Sequence, residues 1–275
     1  MCRLTGVSRA GFYRRGVSPR SASVELRDQL QRVALEWPTY GSRRITAELR
    51  RGGLSVNRKR VQRLMREDNL LCLRKRKFVA TTDSAHGLKV YPNLAAALVV
   101  SGINQLWRAD ITYIRLLEEF VFLAVVLDAF SRRVIGWALE ATLEARLAVA
   151  ALEMALERRR PAPGLVHHSD QGVQYVSHDY VALLESQQVR ISMSRRGNPW
   201  DNATCESFMK TLKCEEIYRS EYHNLAEARA RIGEFLEEIY NQKRLHSSLG
   251  YCPPAEFERL PSSRSMLAAV AQEAV

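Results

Sequence analysis

The segment Phe120–Leu127 is a run of eight consecutive apolar residues, and it constrains the fold more than any other stretch of the chain. The run is far short of the roughly 20 residues that a membrane-crossing helix needs. It has the length of a strand buried on both faces. Two segments rich in β-branched and aromatic residues flank it, Leu106–Leu116 and Arg133–Leu139. The connections are short, Glu118-Glu119 on one side and Asp128-Ala129-Phe130-Ser131 on the other. Adjacent strands joined so tightly predict an antiparallel meander.

Beyond the meander the hydrophobic period changes. Leu143–Arg159 reads as a helix stopped by Pro161, Pro163 and Gly164. Leu165–Ser169 is a short strand, Asp179–Ser186 a helix capped by Ser177, and Val189–Met193 a further strand. A helix starts at Asp201 or Asn202 and runs to about Tyr218, and a long one covers Leu225–Tyr240. The order β-β-β-α-β-α-β-α-α predicts a mixed α/β sheet. It is also the order of the ribonuclease H-like fold, and order alone proves no function.

The front of the chain is different in kind. Lys and Arg total 41 against 30 Asp and Glu, a net charge of +11. Residues 1–100 hold 21 basic and 7 acidic residues, a net of +14, and the rest of the chain is at −3. A basic front joined to a near-neutral back points to a polyanion-binding module. Residues 1–20 read as a short helix and turn that start abruptly, as if sequence preceded them. An amphipathic helix over 23–36 has Val24, Leu26, Leu30, Val33 and Leu35 as its candidate buried residues. Ser42 is the expected cap of a helix Arg43–Arg51 ended by Gly52-Gly53, and Asn57 of a helix Arg58–Asp68 with Val61, Leu64 and Met65 inward. Two short helices joined by a glycine turn have a helix-turn-helix outline. Arg43 and Arg44 on the first, and Arg58, Lys59, Arg60 and Arg63 on the second, are the candidate DNA contacts. Residues 72–104 form a basic linker. Its run Arg74-Lys75-Arg76-Lys77 fits either a phosphate contact or a solvated connection.

The five cysteines are widely spaced, with no Cys-x-x-Cys, and the N-terminus has no apolar signal segment. A zinc finger, a disulfide framework, secretion and a membrane location are not supported, and a reducing, cytoplasmic compartment fits.

Three acids stand at chemically suggestive places. Asp110 interrupts the first strand, Asp170 ends the fourth, and Glu206 lies near the start of the helix after Asp201-Asn202. A carboxylate in an apolar strand is costly to bury unpaired, and a bound cation removes that cost. Carboxylates suit Mg²⁺, with Mn²⁺ as its substitute, and two such ions about 4 Å apart serve phosphoryl transfer. Asp128 ends the apolar strand but fits a turn into Ser131-Arg132, and Asp201 reads as a helix cap. His168 fits a hydrogen bond near the acids or a structural role. Arg244 and His246 fit a DNA contact or a pin for the last helix.

Between Asp170 and Glu206 lie 35 residues, and Lys213 follows the glutamate seven positions on. Further blocks are Trp107-x-x-Asp110-Ile111-Thr112-Tyr113, His168-Ser169-Asp170-x-Gly172-x-Gln174-Tyr175, Asp201-Asn202-Ala203-x-x-Glu206-Ser207-Phe208 and Tyr240-Asn241-x-x-Arg244-x-His246. On these blocks the chain resembles insertion-sequence transposases of the IS-three type, in particular their second-frame (OrfB) product, and more distantly retroviral integrases. The resemblance implies an α/β, ribonuclease H-like core of the integrase type behind an all-helical helix-turn-helix region. Its expected parts are residues 1–71, the linker 72–104, the core 105–245 and a C-terminal tail 246–275.

It also implies a DNA transposase. Asp110, Asp170 and Glu206 would be its catalytic, metal-binding acids, holding two Mg²⁺ ions to nick a transposon end and transfer the 3′ strand. Lys213 and Lys210, which share a helical face with Glu206, are the expected contacts to the DNA end. Arg195 and Arg196 belong to an expected mobile active-site loop. The expected partners are transposon ends and target DNA, further copies in a synaptic complex, and an upstream-frame product reached by frameshift fusion. The expected location is the cytoplasm, at the nucleoid. The rival readings are a non-catalytic DNA-binding repressor, an inactive remnant, or a ribonuclease H-like nuclease.

Overall fold

The computed structural model describes residues 19–70, 89–195 and 198–260. The helix and turn expected before residue 19, the run Arg74–Lys77, Arg196 and the chain past 260 lie outside the described residues. The chain divides into two compact units, Met1–Arg76 and Lys77–Val275.

In the first unit α1 spans Pro19–Glu36, α2 Ser42–Arg51 and α3 Arg58–Glu67. Leu26 and Leu30 of α1, Ile45 and Leu49 of α2, and Val61, Leu64 and Met65 of α3 form the buried core. Val24 and Leu35, expected inside, are 66% and 67% exposed. At 100° per residue both stand nearly opposite Leu26 and Leu30, so one helix cannot bury all five candidates. Asn57 caps α3 as expected, its side chain accepting from the Lys59 N–H at 2.8 Å. Ser42 does not cap α2: Gly41 holds that position, and the Ser42 carbonyl accepts from the Thr46 hydroxyl at 2.6 Å. Gly53, at φ +89°, makes the left-handed turn between α2 and α3. The Arg50 guanidinium closes the connection on the Val56 carbonyl at 3.1 and 3.0 Å. Arg27 clamps α1 to the end of α3 through Glu67 and Asp68.

The second unit is built on a five-stranded sheet in the order β3-β2-β1-β4-β5. β1 is Leu106–Arg115, β2 Phe120–Asp128, β3 Val134–Glu140, β4 Val166–Ser169 and β5 Arg190–Met193. β1, β2 and β3 form the antiparallel meander, and β4 and β5 add parallel strands beside β1. The alternation of β1 and β2 gives the sheet two apolar faces. Ile114, Val121, Leu123, Val125 and Leu127 pack with α6 (Ala203–Glu215) and α7 (Leu225–Glu234). Trp107, Ala109, Ala124, Val126 and Ile135 pack with α4 (Ala145–Arg159) and α5 (His178–Ser186). A β-carbon at Gly136 would lie 2.1 Å from the Ala151 carbonyl oxygen, so only glycine lets α4 approach β3 this closely.

The helix expected over Leu225–Tyr240 ends its α part at Glu234 and continues as a π turn, Phe235–Tyr240. Residues 246–260, read from sequence as part of a tail, fold onto the core. Leu249 and Phe257 pack with Phe130. Glu258 of α8 (Pro254–Arg259) pairs with both Arg133 and Arg159, and the Ala255 N–H donates to the Asn241 carbonyl at 2.9 Å. These ion pairs and hydrogen bonds add to the buried contacts of Leu249, Pro254, Ala255 and Phe257. No described helix is long and apolar enough to cross a membrane.

Candidate active site

The register of the sheet locates the acids. Among the described residues β4 pairs with β1 only over Leu106–Arg108, ending at Arg108 opposite His168. Asp110 and Asp170 each lie two residues past that pair. Parallel strands about 4.8 Å apart with equal offsets project such residues side by side on one face. β1 continues to Arg115 after β4 has stopped, and the two carboxylates stand at the resulting notch.

Each carboxylate is oriented by backbone. Asp110 Oδ1 accepts from the Ile111 N–H at 2.9 Å, and Asp170 Oδ1 accepts from the Gly172 N–H at 2.9 Å. The second bond is an Asx turn. A β-carbon at Gly172 would come within 3.0 Å of that same oxygen, so the glycine keeps the turn tight.

The third acid arrives on α6. Cys205, Phe208, Met209 and Leu212 bury one face of this helix, and Glu206, Lys210 and Lys213 fall on the adjoining face. The start of α6 is pinned to β1 beside Asp110. The Asn202 amide donates to the Ala109 carbonyl at 3.2 Å, and Arg108 donates to the Asp201 carbonyl. Burial, then the charge of Asp170, then that of Glu206 push the Asp110 carboxyl up to about 7, against its bond to Ile111 and the charge of Lys213. Burial lowers Lys213, and Asp110 opposes that shift. The acids therefore act on one another electrostatically. Among the described residues no three His, Cys, Asp or Glu side chains stand close enough together to hold a metal ion.

Several neighbours serve the frame. His168 is buried, with Nδ1 2.8 Å from the Ser192 hydroxyl and Nε2 3.0 Å from that of Ser194. The Ser192 oxygen already accepts from the Leu94 and Ala95 N–H groups, so its own proton goes to Nδ1 and His168 carries its proton on Nε2. Burial lowers the imidazole to about 4, consistent with that neutral form. Asp128 is buried and fully engaged, accepting from the Asn104, Phe130 and Ser131 N–H groups at 2.7, 2.9 and 3.0 Å. It belongs to the turn, as expected. Asp201 does not cap α6: its carboxylate takes the Arg195 N–H and guanidinium at 2.9 to 3.0 Å. The competing arginine wins because it brings a charge. Arg195 is exposed with its guanidinium committed to this pair.

Of the other candidate contacts, Lys210, Arg43, Arg58, Lys59, Arg60 and Arg63 are exposed. Arg44 is half-buried, 5.4 Å from the Tyr40 ring centroid. Arg244 does pin the C-terminal segment: its guanidinium makes two 2.8 Å bonds to Glu215 at the end of α6. Sequence reasoning missed the pinning of α6 by Arg108 and Asn202. An arginine inside an otherwise apolar strand, two residues before an acid, was the available signal.

Comparison with known proteins agrees with this architecture. Two models described as integrase core domain match residues 101–199 and 187–254, and one described as an HTH-like domain matches residues 22–78. The chain is 41% identical over 263 residues to "Insertion element IS600 uncharacterized 31 kDa protein" of Shigella sonnei, covering 94% of this chain and 97% of that one. It is 39% identical over 269 residues to "Transposase InsF for insertion sequence IS3A" of Escherichia coli (strain K12), covering 94% and 92%. A chain of the simian T-cell lymphotropic virus intasome, solved with PP2A regulatory subunit B56 gamma, shares the fold. Its TM-score is 0.50 at 16% identity, over 81% of this chain and 72% of that one.

Proposed function

The chain belongs to the IS3 family of insertion-sequence transposases, with an integrase-type ribonuclease H-like core, and from that premise we propose that it nicks and joins DNA through Asp110, Asp170 and Glu206. One observation carries the reading. The sheet register sets Asp110 beside Asp170 at the open notch, and α6 is pinned there so that the charges of Asp170 and Glu206 both raise Asp110.

Three carboxylates are the kind of oxygen donor set a hard divalent cation, Mg²⁺ or Mn²⁺, takes. They are not drawn into one cluster in this structure, so holding the ion would need Glu206 to close on Asp110 and Asp170. Two such ions, when bound, supply charge that activates the attacking oxygen and stabilises the leaving one in phosphoryl transfer. Burial and the charges of Asp170 and Glu206 raise the Asp110 carboxyl to about 7, so a cation held there would take the place of its proton. Ile111, Gly172 and Asn202 fix where the acids point. Lys213 and Lys210, on the face of Glu206, meet the phosphates of the DNA end. The exposed bases of α2 and α3 hold the flanking duplex through its backbone. Arg195 contributes by ordering its loop through Asp201.

The proposed partners are transposon ends and target DNA. Two ends must be joined, so a synaptic assembly of several copies and association with an upstream-frame product form part of the reading. The chain acts in the cytoplasm, at the nucleoid. The test is Mg²⁺- or Mn²⁺-dependent nicking and strand transfer on DNA carrying the element's ends. Joining that is lost in Glu206→Gln, with DNA binding retained, supports the reading. Equal joining by both proteins overturns the role of Glu206. Binding without joining by either favours the non-catalytic reading for this chain alone.

A further inference from the structure

Lys213 does not extend freely from α6. Its Nζ stands over the ring of Tyr113, 5.1 Å from the centroid. That ring is braced in turn by Phe120, edge-on at 5.8 Å and 71°. Tyr113 shares its strand parity with Trp107, Ala109 and Ile111, which pack on the α4 side of the sheet. α6 packs on the opposite side. β2 occupies one edge of β1, so the contact runs round the other edge, where β4 has already ended. The same notch that opens Asp110 and Asp170 therefore lets Lys213 reach an aromatic face. Both Tyr113 and Lys213 are half-buried. A lysine stem left free on a helix surface loses rotamer entropy when it is fixed. An aromatic face replaces part of the hydration an ammonium loses on burial. Lys210, one turn earlier on the same face, is exposed.

We infer that Tyr113 is a positioning residue: its ring holds the Lys213 ammonium at the rim of the acid site, ready for a phosphate of the DNA end. The inference rests on the reading of Lys213 as a DNA contact. Lys213 is thus fixed before DNA arrives, and Lys210 becomes ordered only on binding.

The test measures binding of the full chain to a fluorescein-labelled duplex carrying the terminal repeat that borders this reading frame, across a salt series. Each phosphate contact contributes about 0.9 to the slope of log K against log salt. Lys213→Gln should lower the slope by about that amount, and Tyr113→Leu by the same amount. The double variant should show no further fall, and Tyr113→Phe, which keeps the ring, should match the wild type. Lys210→Gln should add to Tyr113→Leu rather than merge with it. An unchanged slope in Tyr113→Leu beside a lowered one in Lys213→Gln overturns the inference, as does a Tyr113→Phe protein that behaves like Tyr113→Leu. No change in Lys213→Gln removes the DNA-contact reading itself and the inference with it. Should Tyr113→Leu fail to fold, the Lys213 ε-methylene resonance of the wild type decides. The ring current moves it upfield, identified by its loss in Lys213→Arg, and a resonance at the ordinary lysine position overturns the inference.

Discussion

Replacing Asp110 by Asn should stabilise the metal-free protein while abolishing its activity. The carboxyl is raised from the ordinary 3.8 to about 7. Between those values the folded chain keeps a proton that the unfolded chain has lost. The folded state therefore loses stability as pH rises through this window, and the loss levels off above pH 7. At about 1.4 kcal/mol per pH unit the cost is about 2 kcal/mol at pH 5 and about 4 kcal/mol at pH 8. Asn keeps the oxygen that accepts from Ile111 and removes the charge. The gain from Asp110→Asn should therefore grow by about 2 kcal/mol between pH 5 and pH 8. The assay is urea unfolding in EDTA at both pH values, followed by the unfolding of the sheet unit. Adding Mg²⁺ at pH 8 should recover stability in the wild type and little in Asp110→Asn. A gain independent of pH, or a loss at pH 8, would refute the account of Asp110 as a carboxylate strained by burial and by its acidic neighbours.

Gly136→Ala should destabilise the sheet unit by about 1–3 kcal/mol, read as a lowered thermal midpoint, because the added carbon meets the α4 backbone rather than a yielding side chain. Wild-type stability would show that α4 can shift without cost. Arg244→Met should cost about 3–5 kcal/mol by leaving Glu215 buried and unpaired, their side chains being 4% and 9% exposed. Arg244→Met with Glu215→Leu should regain most of that in the same melts, and a double variant no better than the single would locate the loss elsewhere. Glu206→Gln should melt within about 1 kcal/mol of the wild type, as expected for an isosteric change at a half-buried side chain. Global unfolding of that variant would mean that Glu206 holds the fold.

The strands were the most legible part of the sequence. An apolar run between tight turns has few alternatives, and β1, β2 and β3 lie within a residue or two of their expected ends. Spacing and flanking blocks both pointed to the three acids, which the structure brings into electrostatic contact. Local competition was not legible. Ser42 and Asp201 are good caps by residue type, yet a glycine holds the cap of α2 and Arg195 takes the carboxylate of Asp201. Val24 and Leu35 are apolar and exposed because the geometry of one helix, not composition, decides which side faces in. The packing of 246–260 depends on Glu258 meeting Arg133 and Arg159 from distant parts of the chain, and no local pattern announces such a meeting. The two-residue offset that aligns Asp110 with Asp170 is likewise a property of strand register, which a single sequence does not display.

The bond between Arg244 and Glu215 also ties chemistry to the order of synthesis. A chain leaving the ribosome presents Asp110 first, Asp170 next and Glu206 later. The helix bearing Glu206 receives its buried partner only when Arg244 emerges, and Glu258 then fastens the edge of the sheet. On the proposed reading, a half-made protein already has the basic helices that hold DNA, but its acid site is not yet assembled. On that reading, competence to break DNA is reserved for chains whose translation has passed these last contacts.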